Sequence, residues 1–281
     1  MLFIVKRGFS SLSTKKVAEL KSIAVQCGVK TTGKKIDLVD RLVSHFGGFT
    51  TASTTSQVLS FDLGYRNLAY CVLDKDSNIK DWARVDLDLD SFHPSVVAPV
   101  VRQFVTDRVQ CHLGQVDRVL IEQQRARSGG GHAVLEATLR VNCVEAVLWT
   151  GLYEAVDRLP KKRYIEMTPL LRQSIDNVWM EDLETVIKQN SERFKGVKKG
   201  YYLKKQASTM LVQHWLQTNS VFHCDDNFKA MFLKEKKRDD LSDCLMQALA
   251  WFKWEKYTKN FIDKYIEDNN NIKTGNCEKQ K

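Results

Sequence analysis

Apolar and polar residues follow two different periods along this chain, and the switches between them mark out its elements. Helical spacing comes first. Val17, Leu20, Ile23 and Ala24 share the face of a helix that Ser13 or Thr14 can cap and Gly28 closes, and Ile36, Leu38, Val39, Leu42, Val43 and Phe46 line a second. A run rich in Gly, Ser and Thr then interrupts the pattern, a linker over 48–57. Short apolar runs bounded by turn residues predict strands over 58–62, 67–73 and 79–86. A helix over 95–113 leads into a buried strand over 118–122. The longest helix is expected over 133–156, followed by a short strand near 163–167 and a helix opening at Thr168-Pro169. Residues 179–217 are basic and helical with a break near 196–200, and a last strong helix runs from Asp239 to Tyr257 or beyond. The polar stretch from 269 to 281 is expected to be disordered.

Three strands, a helix and a fourth strand in that order resemble the ribonuclease H-like architecture. That is an α/β fold, a mixed five-stranded sheet flanked by helices, whose first three strands meander and whose fourth pairs in parallel with the first. The strands carrying Asp62 and Glu122 would then be neighbours. The N-terminal helix, the basic turn Lys30-Thr31-Thr32-Gly33-Lys34-Lys35 and the second helix resemble the SAP module, a small DNA-binding fold; an ordinary helical hairpin is the plainer alternative. The organisation expected is a presequence-like start over 1–11, a SAP-like module over 12–47, the linker, a ribonuclease H-like domain over 58–266 and a polar tail over 267–281. The first eleven residues carry Lys6, Arg7 and hydroxyls but no acid, the composition of a mitochondrial presequence as well as of a frayed terminus.

Charge narrows the class of partner. Lys and Arg number 43 against 34 Asp and Glu, a formal charge of +9. That excess favours a polyanion, although ribosomal and membrane-surface proteins share it. The 7 cysteines are scattered without Cys-x-x-Cys spacing, which argues against a zinc site or a disulfide framework and for a reducing compartment. No apolar stretch approaches the roughly 18 residues a membrane span needs. The 6 histidines have no metal-ligand spacing, and only His132, beside an Arg-rich loop, invites a test.

The chemistry lies in acids placed at element ends. Asp62 closes the apolar run of the first predicted strand, with Gly64 allowing a tight turn behind it, and Glu122 ends Val119-Leu120-Ile121. Asp239, Asp240 and Asp243 open the last helix, where 240/243 and 239/243 have the i,i+3 and i,i+4 spacings of one face. Capping accounts for one such acid. Three of them beside Lys234, Lys236, Lys237 and Arg238 suggest a cluster of hard oxygen ligands for Mg²⁺, with Mn²⁺ as substitute. Two ions there would serve an in-line phosphodiester displacement, and Lys236 or Lys237 could offset the charge that develops on phosphorus. Gln123, Gln124, Arg125 and Arg127 supply amides and guanidinium forks for bases and phosphates. Lys198 and Lys199 sit in a segment, 194–205, that interleaves cations with aromatics, a composition suited to unpaired DNA as well as to a surface loop.

Three stretches together resemble the fungal mitochondrial Holliday-junction resolvases, relatives of bacterial RuvC: Phe61-Asp62-Leu63-Gly64-Tyr65-Arg66-Asn67, Ile121-Glu122-Gln123-Gln124-Arg125-Ala126-Arg127 with Thr138-Leu139-Arg140-Val141-Asn142 after it, and Lys236-Lys237-Arg238-Asp239-Asp240-Leu241-Ser242-Asp243. The resemblance implies a homodimer in the mitochondrial matrix that binds four-way DNA junctions and nicks two opposing strands with Mg²⁺, using no organic cofactor. It also implies metal ligation by Asp62, Glu122, Asp243 and one of Asp239 or Asp240, with Gln123, Arg125 and Arg127 near the junction centre. Two departures are visible. Arg238 separates the lysine pair from the acids, and Gln123 stands where Arg is common. A nuclease for RNA–DNA hybrids and a non-catalytic SAP-containing DNA-packaging protein are the competing readings.

Overall fold

The computed structural model describes residues 9–49, 55–124, 132–195 and 200–277. Most of the presequence-like start, most of the linker, Arg125, Arg127, Lys198 and Lys199 lie outside them. The chain forms two compact units. One comprises Met1–Thr54, Asp176–Val178 and Ala250–Lys281, and the other Thr55–Ile175 and Trp179–Leu249.

In the first unit a 3-10 turn, Ser10–Thr14, precedes helices α1 (Val17–Gln26) and α2 (Lys35–Phe49). Neither Ser13 nor Thr14 caps α1. The Glu19 carboxylate accepts from the Lys16 N–H at 2.7 Å, and Thr14 Oγ1 donates to the Ser11 carbonyl instead. The three residues between Ser13 and Val17 make that hydroxyl too distant to serve a helix start. Gly28 closes α1 as expected, with φ of 69°. Leu20, Ile23, Ala24, Leu38, Leu42, Val43 and Phe46 are buried together with Phe9, Leu12 and Ile262, while Val17 and Ile36 are exposed.

The second unit holds one sheet: β1 (Gln57–Leu63), β2 (Asn67–Asp74), β3 (Ile79–Asp86), β4 (Arg118–Glu122) and β5 (Glu166–Leu170), in the order β3-β2-β1-β4-β5. β1, β2 and β3 pair antiparallel, and β4 pairs in parallel with both β1 and β5. The expected arrangement is therefore present. Helix α3 (Pro94–Phe104) passes through a π-helical turn (Val105–Val109) into α4 (Gln110–Leu113), and α5 (His132–Asp157) joins β4 to β5. Helices α6 (Arg172–Gln189), α7 (Tyr201–Thr218), α8 (Asp226–Lys234) and α9 (Arg238–Cys277) complete the chain.

Two further expectations need correction. Thr168 and Pro169 do not start a helix but lie inside β5, opposite Leu120 and Ile121. Glu166 and Leu170 use their backbones toward β4 and its flanks, so Pro169, odd in the alternation, turns its donorless nitrogen to the free edge. The polar C-terminal stretch expected to be disordered continues α9 as far as Cys277. Once the buried part of a helix is formed, each added residue gains a hydrogen bond without a new nucleation cost.

Period-2 alternation sorts the sheet's faces. Leu59, Phe61, Leu63, Val119 and Ile121 point to one side, into a core with Val97, Val101 and Phe104 of α3 and Val144, Leu148 and Leu152 of α5. Ser60, Asp62, Leu120 and Glu122 therefore point to the other. There the first turns of α9 are fastened: Trp82 Nε1 donates to the Leu241 carbonyl at 3.1 Å, and Gln247 Nε2 to the Phe61 carbonyl at 3.2 Å.

Candidate active site

Three parallel strands end side by side, and the carboxyl ends of two of them carry candidate acids. The β1/β4 register, Phe61 opposite Ile121, makes Asp62 and Glu122 neighbours on one face of the sheet. One strand further, Glu122 pairs with Leu170, and Arg172 follows as the first residue of α6. Gly64 fixes the turn behind Asp62. Its N–H donates to the Asn67 carbonyl at 2.8 Å, and a Cβ there would come as close to that same oxygen, 2.8 Å.

The start of α9 brings the other acids. Asp243 is almost wholly buried and is gripped by Arg172 through two bonds, Nη1 to Oδ2 at 2.7 Å and Nη2 to Oδ1 at 2.9 Å. Arg172 Nη1 also reaches Glu122 Oε2 at 3.4 Å. Burial pushes the Asp62 carboxyl well above the usual carboxylate range, helped by the negative charges of Glu122, Asp243 and Asp240 and opposed by Arg172. Burial and the neighbouring Asp239 likewise raise Asp240. Asp240 is thus among the charges felt at Asp62. Asp239 is instead held by Lys205 Nζ at 2.6 Å, which lies 3.8 Å from Asp240. Arg84 of β3 approaches Asp240 at 3.7 Å and Glu235 at 3.9 Å.

The remaining predicted residues separate. Lys236 and Lys237 are exposed just before α9, their N–H groups donating to Glu235 Oε1, and Lys237 is near enough to pull Asp240 downward. Gln123 is exposed beyond β4, its N–H bonded to the Leu170 carbonyl at 2.8 Å. Gln124 is engaged locally, its side chain donating to the Glu122 carbonyl and its N–H to Glu145, both at 3.3 Å. Lys34 and Lys35 are exposed at the turn of the first unit, well away in sequence from the acids. That turn is shaped by Arg41, which donates to the Lys30 carbonyl at 2.5 Å and to that of Thr32, and by Gly33, whose φ is 110°. His132 opens α5, but its side chain lies outside the described residues.

Sequence reasoning did not bring Arg172, Lys205 or Arg84 to this site. Lys205 was visible within the basic, aromatic stretch, but its pairing with Asp239 was not. The donor set is chemically that of a hard divalent cation, carboxylate oxygens crowded where burial makes their charge costly. Among the described residues no group of three or more His, Cys, Asp or Glu side chains is close-set enough to hold an ion as they stand. Here the positive charge between Glu122 and Asp243 is the guanidinium of Arg172.

A ribonuclease H-like sheet with acids from two adjacent parallel strands and the last helix defines a nuclease-type domain. Comparison with known proteins gives the family. Residues 58–234 match the family described as mitochondrial resolvase Ydc2 / RNA splicing MRS1, and residues 11–47 match the SAP domain. The chain belongs to that family. It is 25% identical over 283 residues to the mitochondrial cruciform cutting endonuclease 1 of Schizosaccharomyces pombe, covering 91% of this chain and 100% of that protein. The crystal structure of the yeast mitochondrial Holliday junction resolvase Ydc2 superposes with a TM-score of 0.62 at 23% identity, over 90% of this chain and 98% of that one. Thermus thermophilus RuvC bound to a Holliday junction gives a TM-score of 0.41 at 12% identity, over 72% of this chain and 95% of that one.

Proposed function

We propose that this protein is a structure-selective endonuclease that resolves four-way DNA junctions in mitochondrial recombination by nicking two opposing strands symmetrically. The observation that carries this reading is the meeting of Asp62, Glu122 and Asp243, with Asp240 beside them, at the ends of β1 and β4 and the start of α9. Asp62, Glu122, Asp240 and Asp243 would hold Mg²⁺, replaceable by Mn²⁺, as two ions per site. When bound, such ions supply a water nucleophile at neutral pH and stabilise the departing 3′ oxygen.

The chain's own residues do the rest. Asp62 and Glu122 are fixed by rigid strands, so their carboxylates keep one geometry toward the phosphate. Lys237, exposed and close enough to act on Asp240, would offset charge on the phosphorus centre. Asp239, paired with Lys205, holds that lysine at the rim. Gln123, Gln124, Arg125 and Arg127 would meet the strands near the crossover, with Lys198, Lys199 and Lys236 on flanking phosphates and Lys34 and Lys35 extending the contact from the SAP module.

Symmetric nicking asks for two sites related as the junction arms are, hence a homodimer. The exposed Leu139 and Tyr153 of α5 are apolar surface available for such a contact. The mitochondrial matrix is where this substrate would be met.

Cleavage of end-labelled four-way junctions, linear duplex and RNA–DNA hybrid, with Mg²⁺ or EDTA, tests the reading on wild type and Asp62→Asn. Paired nicks confined to the junction and lost in EDTA and in Asp62→Asn are expected, with junction binding retained by the variant. Cleavage of the hybrid instead would move the activity to RNA, and binding without cleavage would make the protein architectural.

A further inference from the structure

The metal-site reading leaves one group without a role. The guanidinium of Arg172 lies among the acids, with two of its nitrogens on both oxygens of Asp243 and one of these also 3.4 Å from Glu122. The Asp243 side chain is only 4% exposed, so water cannot replace that partner in place. A carboxylate engaged at both oxygens by a planar fork has its two syn lone pairs, the ones a chelated cation would take, committed. It cannot offer them to a cation at the same time.

We propose that Arg172 is the site's resident counter-cation: it holds Asp243 and Glu122 together when no ion is bound, and it must release Asp243 before that carboxylate can chelate a divalent ion. This rests on the assignment of these acids as metal ligands. Several carboxylates drawn together without compensation would repel each other and be costly to bury. One guanidinium covers part of that charge, while two divalent ions would cover all of it. Ion binding is then an exchange of cations.

The exchange predicts an effect opposite to that of ordinary structural support. A residue that merely braces its neighbours weakens metal binding when removed, whereas a competing cation strengthens it. Mn²⁺ binding by the DNA-free protein, read by paramagnetic resonance of the unbound ion, separates the two for wild type, Arg172→Met, Arg172→Lys and Asp62→Asn. Arg172→Met should bind Mn²⁺ about tenfold tighter or more, since it loses a competing charge-assisted pair. Its melting temperature should be lower than wild type in EDTA and recover further on adding Mn²⁺. Arg172→Lys, which keeps one charge but not the fork, should fall between.

Equal or weaker affinity in Arg172→Met, with Asp62→Asn still losing the site, would overturn the exchange and leave the metal assignment standing. Should the methionine variant fail to fold, an unchanged affinity in Arg172→Lys would overturn it equally. Equal Mn²⁺ binding by wild type and Asp62→Asn would remove the metal site itself and the exchange with it.

Discussion

Individual residues in this chain act mainly through what they compensate. Asp117 illustrates this away from the active site. Its carboxylate accepts from the Ser56 N–H at 2.7 Å and the Gln57 N–H at 3.3 Å and pairs with Arg163, pinning the entry of β1 to the loop before β4. Burial alone would raise its pKa, but the Ser56 hydroxyl and N–H, Arg163 and the Gln57 N–H outweigh that and hold it below the ordinary value. A depressed carboxylate stabilises the fold fully above its unfolded pKa, about 3.9, and loses that contribution as pH falls through the folded value. Asp117→Asn should therefore cost about 1 to 2 kcal/mol in urea unfolding at pH 7, and the gap from wild type should close toward pH 3. A gap unchanged by pH would show the charge to be irrelevant. The same scale shows how far the site could be read in advance. Asp62 and Glu122 announced themselves because a charge at the end of an apolar strand contradicts its local pattern. Arg172 carries no such signal, since its partner Asp243 lies 71 residues further on and only the fold unites them.

Elements were legible wherever local periodicity decided them. The strands β1 to β4 fall within a residue or so of their expected bounds because β1, β2 and β4 are buried along nearly their whole length and turn residues precede β3. β5 was misplaced because the proline argument assumes a helix start, and an edge strand serves a missing N–H equally well. The largest surprise is α9. Its first turns belong to the nuclease unit, yet from Ala250 onward it belongs with the N-terminal module. Phe261 stacks on Phe46 at 4.9 Å between ring centres, Tyr265 lies 4.9 Å from Phe9, and Ile262 is buried. A pair of short helices buries little apolar surface alone, and the third helix supplies the missing wall. Ile262→Ala should cost about 2 to 5 kcal/mol. In hydrogen exchange the loss should show at the amides of α1 and α2; protection there unchanged would mean the module folds without α9.

On the scale of the whole molecule, the charge of +9 sets how binding responds to salt rather than what is cut. Phosphate contacts release counterions, so the logarithm of junction affinity should fall linearly with the logarithm of KCl concentration, each lost contact lowering the slope by about 0.9. Replacing Lys34 and Lys35 together by Ala should flatten the slope by up to about two, leaving the nicked positions where they were. An unchanged slope would exclude the basic turn from the DNA contact. The order of synthesis adds a consequence to the continuous helix α9. Translation reaches Asp239, Asp240 and Asp243 only after the rest of the nuclease sheet, and Ile262 later still. A chain halted ahead of these positions would carry Asp62 and Glu122 without their partners, and the SAP module without its third wall. On the proposed assignment, unfinished copies would lack half of the acids that cutting requires.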